Sequence, residues 1–121
     1  MKTMMIIEDS AYFRTVIKKH VSTLDIEVIG EAESGNEGIE KYMELMPDIV
    51  TLDLAMDDGN GIEALEKIKR HNPDTVVIVI SSTSRQKSVI EQTSALGADK
   101  LFDKPVDKDL FIEYVKELTE G

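Results

Sequence analysis

Apolar residues along this chain follow two rhythms that alternate. Five short runs, TMMII, EVIG, DIVTL, TVVIVIS and KLF, are β-branched or apolar with little polar interruption, as in strands covered on both faces of a parallel sheet. Between them apolar positions recur at helical spacing: Phe13, Val16, Ile17, Val21 and Leu24; Ile39, Tyr42, Met43 and Met46; Ile62, Leu65 and Ile68; Val89, Ile90, Thr93 and Leu96; Phe111, Tyr114, Val115 and Leu118. Each set predicts an amphipathic helix, with its Met and Tyr positions in the core.

The punctuation agrees. Ser34 with Glu37, and Asn60 with Glu63, have capping-box spacing ahead of the second and third helices, and Asp107 is placed to cap the fifth. Pro47, Pro73 and Gly97 mark exits. Lys18, Lys19 and His20 fall late in the first helix and Lys69, Arg70 and His71 late in the third, where cations complement the helix dipole. Strict strand–helix alternation with right-handed crossovers gives an α/β fold, a doubly wound open sheet of five parallel strands with helices on both faces. No linker, repeat or low-complexity tract interrupts residues 1–121, so a single domain without an output domain is expected.

Composition narrows what such a domain does. The 121 residues, 41% hydrophobic and 31% charged, suffice for one core. A formal net charge of −10 disfavours direct binding to nucleic acid or anionic lipid and favours cations and basic partners. There is no cysteine, hence no disulfide or thiolate metal site. Glu8 and Asp9 cut the first apolar run too short for a signal peptide or membrane span, which points to the cytoplasm.

The chemistry gathers at strand ends. In a doubly wound sheet ligands bind beyond the carboxyl ends of the strands, where the winding reverses. Glu8 and Asp9 follow the first strand, Asp53 the third, Ser82 the fourth, and Lys104 with Pro105 the fifth. If the first and third strands are neighbours, three carboxylates converge and cannot all stay ionised without a counter-charge. A hard dication such as Mg²⁺ suits them and recruits phosphoryl groups, with Lys104 and Ser82 placed to meet phosphate oxygens. His20 and His71 read as structural or solvated.

These pieces, IIEDS with Arg14 behind it, PDIVTLDLAM followed by NGIEAL, VIVISS, ALGAD and FDKP, resemble in order and spacing the CheY-like receiver domains of two-component response regulators. The resemblance covers the whole chain and implies a flavodoxin-like sheet of order 2-1-3-4-5. It implies that Asp53 is the phosphoacceptor, that Glu8, Asp9, Asp53 and the main-chain carbonyl of Ala55 hold Mg²⁺, that Ser82 is the switch hydroxyl, and that Lys104 pairs with the phosphoryl group. It implies a histidine kinase or phosphotransfer protein as donor. A downstream protein would read the face of the fourth helix, fifth strand and fifth helix, where Gln86, Lys87, Glu91, Lys100 and Lys108 are surface candidates.

Several positions depart from the family pattern. Asp57 replaces the usual proline four residues after the phosphoacceptor. Leu101 replaces the usual aromatic switch residue, with Phe102 beside it facing the other way, and Thr83 replaces a small residue. Ala55 and Ser84, at the positions that tune lifetime in that family, offer neither carboxylate nor amide to position water, so an acyl phosphate at least as long-lived as in receivers with such a group is expected. Two other readings compete. A haloacid-dehalogenase-like phosphohydrolase would need a second aspartate at Ala55, and a pseudo-receiver would act as an interaction module without phosphorylation.

Overall fold

The alternating apolar runs and amphipathic segments form strands and helices in strict turn. In the computed structural model, which describes residues 1–56 and 60–120, these are β1 (Lys2–Ile7), α1 (Ala11–Val21), β2 (Ile26–Ala32), α2 (Gly35–Leu45) and β3 (Ile49–Leu52). They continue with α3 (Gly61–His71), β4 (Val76–Ile80), α4 (Lys87–Ala95), β5 (Lys100–Phe102) and α5 (Lys108–Glu120). Asp57, and Asp58 after it in the sequence, lie outside the described residues.

All sheet pairings are parallel and the strand order is β2-β1-β3-β4-β5. The winding therefore reverses between β1 and β3. Alternate residues of each strand enter opposite cores, which is why the runs are unbroken. Met4 and Ile6 pack with Ile17 and Val21 of α1 and Phe111 and Val115 of α5. Met5 and Ile7 face the other way, toward Tyr42 of α2 and Leu65 and Ile68 of α3.

The caps are mostly those read from the chain. Ser34 Oγ accepts the Glu37 N–H at 3.1 Å, and Asp107 Oδ1 accepts the Leu110 N–H at 3.0 Å. Asn60 does not form the expected capping box: its backbone, at φ −102° and ψ 22°, is not extended as an N-cap's is, and it makes no side-chain cap bond, while its Nδ2 donates to Asn36 Oδ1 at 2.9 Å. Met43 and Met46 are not core, being 41% and 43% exposed. The buried side of α2 runs through Gly35, Gly38 and Tyr42, so Met43 falls on its flank, while Met46 leaves the helix in the left-handed conformation at φ 48°. Ile90 of α4, 43% exposed, also departs from its expected burial, since Thr93 is the residue α4 buries.

Close packing locks α3 against the end of β3. A Cβ on Gly61 would lie 2.6 Å from Leu54 Cα and 2.8 Å from its carbonyl oxygen. Only glycine allows this approach, so the helix start fixes the backbone that follows Asp53.

Candidate functional site

Adjacent strand ends bring the carboxylates together. The β1–β3 ladder runs from Met4 opposite Ile49 to Ile7 opposite Leu52, and the Asp53 N–H extends it by donating to the Ile7 carbonyl at 3.0 Å. On the other side of β1 the Glu8 N–H donates to the Ala32 carbonyl at 2.9 Å. Glu8 and Asp53 thus start from rigid neighbouring backbone and are only 2% and 3% exposed. Asp9 is half-buried beside them, and carboxylate oxygens of all three lie within 4.8 Å of one another.

Lys104 supplies the counter-charge. Its Nζ donates to Glu8 Oε1 at 2.7 Å and to Asp53 Oδ2 at 2.8 Å. The remaining oxygens take backbone donors, Glu8 Oε2 from the Ser10 N–H at 2.9 Å and Asp53 Oδ1 from the Ala55 N–H at 3.0 Å. Burial pushes the Glu8 carboxyl above its ordinary value, and the nearby Asp9 and Asp53 add to this against the bonds from Lys104 and Ser10. For Lys104, burial acts to lower the pKa, but hydrogen bonds with Asp53 and Glu8 and their charges outweigh it and hold the ammonium above its usual range.

One ammonium therefore serves a cluster of three acids. The side chains of the cluster offer carboxylate oxygens alone, which is the chemistry a hard dication requires and Mg²⁺ fits. Ala55 is tied to Asp53 through its amide, and its side chain is exposed.

The loop after β4 separates its hydroxyls. Ser82 is exposed and lines a cleft of about 350 Å³ with Arg85, Asp103, Lys104 and Pro105. Ser81 is fully buried, with its Oγ 3.0 Å from the half-buried Thr83 Oγ1. Ser84 is buried too, and its Oγ has no hydrogen-bond partner among the described residues. Leu101 is half-buried and opens onto an outer cleft with Arg85, Lys100 and Leu110, while Phe102 turns inward to Phe111 and Tyr114 at 5.7 and 6.1 Å.

Three contributors were not anticipated from the chain. Ser10 caps α1 by accepting the Phe13 N–H at 3.3 Å, a role its place just before an apolar periodic run could have suggested. Ser81 could have been weighed beside Ser82 as the buried hydroxyl of the pair. Phe13 brings its ring centroid to 4.4 Å from Lys104 Nζ, and nothing local to residue 13 announces that.

A doubly wound sheet with acids at the β1 and β3 ends and a lysine reaching them from beyond β5 is the arrangement of response regulators of two-component systems. Residues 4–116 match the response regulator receiver domain, and the chain belongs to that family. It is 37% identical to the chemotaxis protein CheY of Thermotoga maritima over 98% of both chains. It is 38% identical to the CheY of Listeria monocytogenes over 99% of this chain and 100% of that one. The response regulator domain of Thermotoga maritima CheB superposes with a TM-score of 0.79 at 36% identity, covering 98% of this chain and 91% of that one. A CheY-like receiver from Methanospirillum hungatei shares the fold, with a TM-score of 0.88 at 22% identity over 99% and 94% of the two chains. Among the described residues no helix is long and apolar enough to cross a membrane.

Proposed function

We propose that this receiver accepts a phosphoryl group on Asp53 from the phosphohistidine of a histidine kinase or phosphotransfer protein, and signals through the surface that this changes. The observation that carries the reading is the buried Glu8–Asp53 pair at neighbouring strand ends, held by Lys104. An Asp53 oxygen attacks phosphorus, the P–N bond breaks, and its electron pair goes to the departing ring nitrogen; the other ring nitrogen already carries a proton, so the imidazole leaves neutral. The product is an acyl phosphate. Lys104 meets charge on the transferring oxygens, and the Ala55 amide holds the second Asp53 oxygen in place. Glu8, Asp9 and Asp53, with the Ala55 carbonyl, would hold Mg²⁺, which when bound would supply positive charge against the phosphoryl oxygens.

The new phosphoryl oxygens draw a hydroxyl from the loop after β4, with Ser82 in the cleft beside Lys104 as the candidate, and Thr83, Ser84 and Leu101 adjust around it. Gln86, Lys87, Glu91, Lys100 and Lys108 are all exposed on the α4–β5–α5 side, together with Leu110, and this is the surface assigned to the downstream protein. The protein is a phosphoacceptor rather than a turnover enzyme, catalysing only its own phosphorylation and dephosphorylation, in the cytoplasm.

Intact mass after incubation with acetyl phosphate tests this. A gain of one phosphoryl group that needs both Mg²⁺ and Asp53, and is lost in Asp53→Asn, supports the reading. No gain, with a kinase supplied as well, leaves a pseudo-receiver, and steady hydrolysis of a phosphomonoester would favour the phosphohydrolase.

A further inference from the structure

Lys104 reaches the site on a long stem with many rotamers, yet its ammonium must stay where it meets both Asp53 and the incoming phosphoryl group. The two carboxylates use two of its three N–H donors. On a further side stands the Phe13 ring, with its centroid 4.4 Å from Nζ, well inside the range in which a ring quadrupole attracts a cation. The contact is sheltered, since the Lys104 side chain is 14% exposed and Phe13 is half-buried.

Phe13 is itself held. Ser10 Oγ accepts its N–H and so fixes the first turn of α1, and the Tyr12 ring meets it edge-on at 5.3 Å and 76°. The same turn ties Glu8 twice, through Ser10 N–H to Oε2 and through Arg14, which donates to the Glu8 carbonyl at 2.8 Å. One helical turn therefore places both a carboxylate partner of Lys104 and an aromatic wall against it.

We propose that Phe13 is a positioning residue for Lys104, its ring face holding the ammonium beside Asp53 so that it is already placed when the phosphoryl group arrives. This rests on the proposed phosphoacceptor role for its consequence, though not for its geometry. A leucine would fill most of the same space without a quadrupole.

The test uses the whole chain in two arms. The first is NMR of the Lys104 ε-methylene protons, identified by their loss in Lys104→Arg. The ring current displaces them upfield in the native protein and in Phe13→Tyr, and the displacement vanishes in Phe13→Leu. The second is the rate of phosphorylation by acetyl phosphate with Mg²⁺, expected to fall about fivefold in Phe13→Leu, to recover in Phe13→Tyr, and to be insensitive to Phe13→Leu in a Lys104→Ala background. An ordinary ε-methylene shift in the native protein overturns the proposal whatever the phosphorylation result. So does an equal slowing by Phe13→Leu with and without Lys104, since the ring would then act through packing alone. If Phe13→Leu melts out, Phe13→Met serves in both arms. A native protein that takes no phosphoryl group but shows the upfield shift sinks the phosphoacceptor role and leaves the ring's hold on Lys104 standing.

Discussion

Asp53, Glu8 and Lys104 show how a buried acidic cluster opposes stability and is still tolerated. Two buried carboxylates beside a third would repel strongly, and the ammonium that bridges them offsets this. Lys104→Met should therefore lower the unfolding free energy by about 3 kcal/mol in metal-free buffer, read by urea denaturation, because both acids lose their partner. A loss within error would mean that water reaches and solvates the pair. The two serines after β4 make a second contrast. Ser82→Ala should leave stability within about 0.5 kcal/mol, as an exposed side chain does, while abolishing the phosphorylation-dependent change in partner binding. Ser81→Ala should cost about 1 kcal/mol through its buried hydroxyl and spare the response. The reverse result assigns the switch hydroxyl to Ser81.

Among the elements, α3 and α1 carry the clearest constraints. Gly61→Ala forces a Cβ into the Leu54 backbone and should cost at least about 2 kcal/mol while displacing the segment after Asp53. Thermal melts together with the acetyl phosphate rate would separate the two effects, and an unchanged melting temperature would refute the close approach. At the far end of α1, His20 sits 6.1 Å from the Phe111 ring of α5, and burial, reinforced by the charge of Lys108, lowers its pKa below 6.5. A lowered folded pKa means the unfolded chain binds more protons, so this residue's contribution is present above pH 6.5 and is lost as the pH falls below it. His20→Gln should flatten the pH dependence of stability in that window, and an unaltered slope would count against it.

At the scale of the whole molecule, a net charge of −10 and an acidic cluster at the switch point act together. Monovalent salt should stabilise the fold by screening this self-repulsion. Mg²⁺ should add an increment that grows with the logarithm of its concentration, about 2.7 kcal/mol at a hundredfold excess over its dissociation constant, and that is lost in Asp9→Asn. Equal stabilisation by KCl at matched ionic strength would remove the case for a specific site.

The sequence by itself determined the kind and order of the elements, because burial on both sheet faces and helical periodicity are local properties of composition and spacing. It also marked Glu8, Asp9, Asp53 and Lys104, since a polar residue ending an apolar run has few places to go but a strand's carboxyl end. Tertiary structure decided who meets whom. Lys104 reaches Asp53 across 51 positions and Glu8 across 96, and Phe13 joins them only because the fold sets the first turn of α1 against the Lys104 side chain. It also decided which of Ser81 and Ser82 is buried, why Met43 and Met46 stay outside the core, and why Asn60 makes no side-chain cap for α3. Those outcomes depend on competition among neighbours that are distant in the chain, and a one-dimensional pattern holds no record of the neighbours.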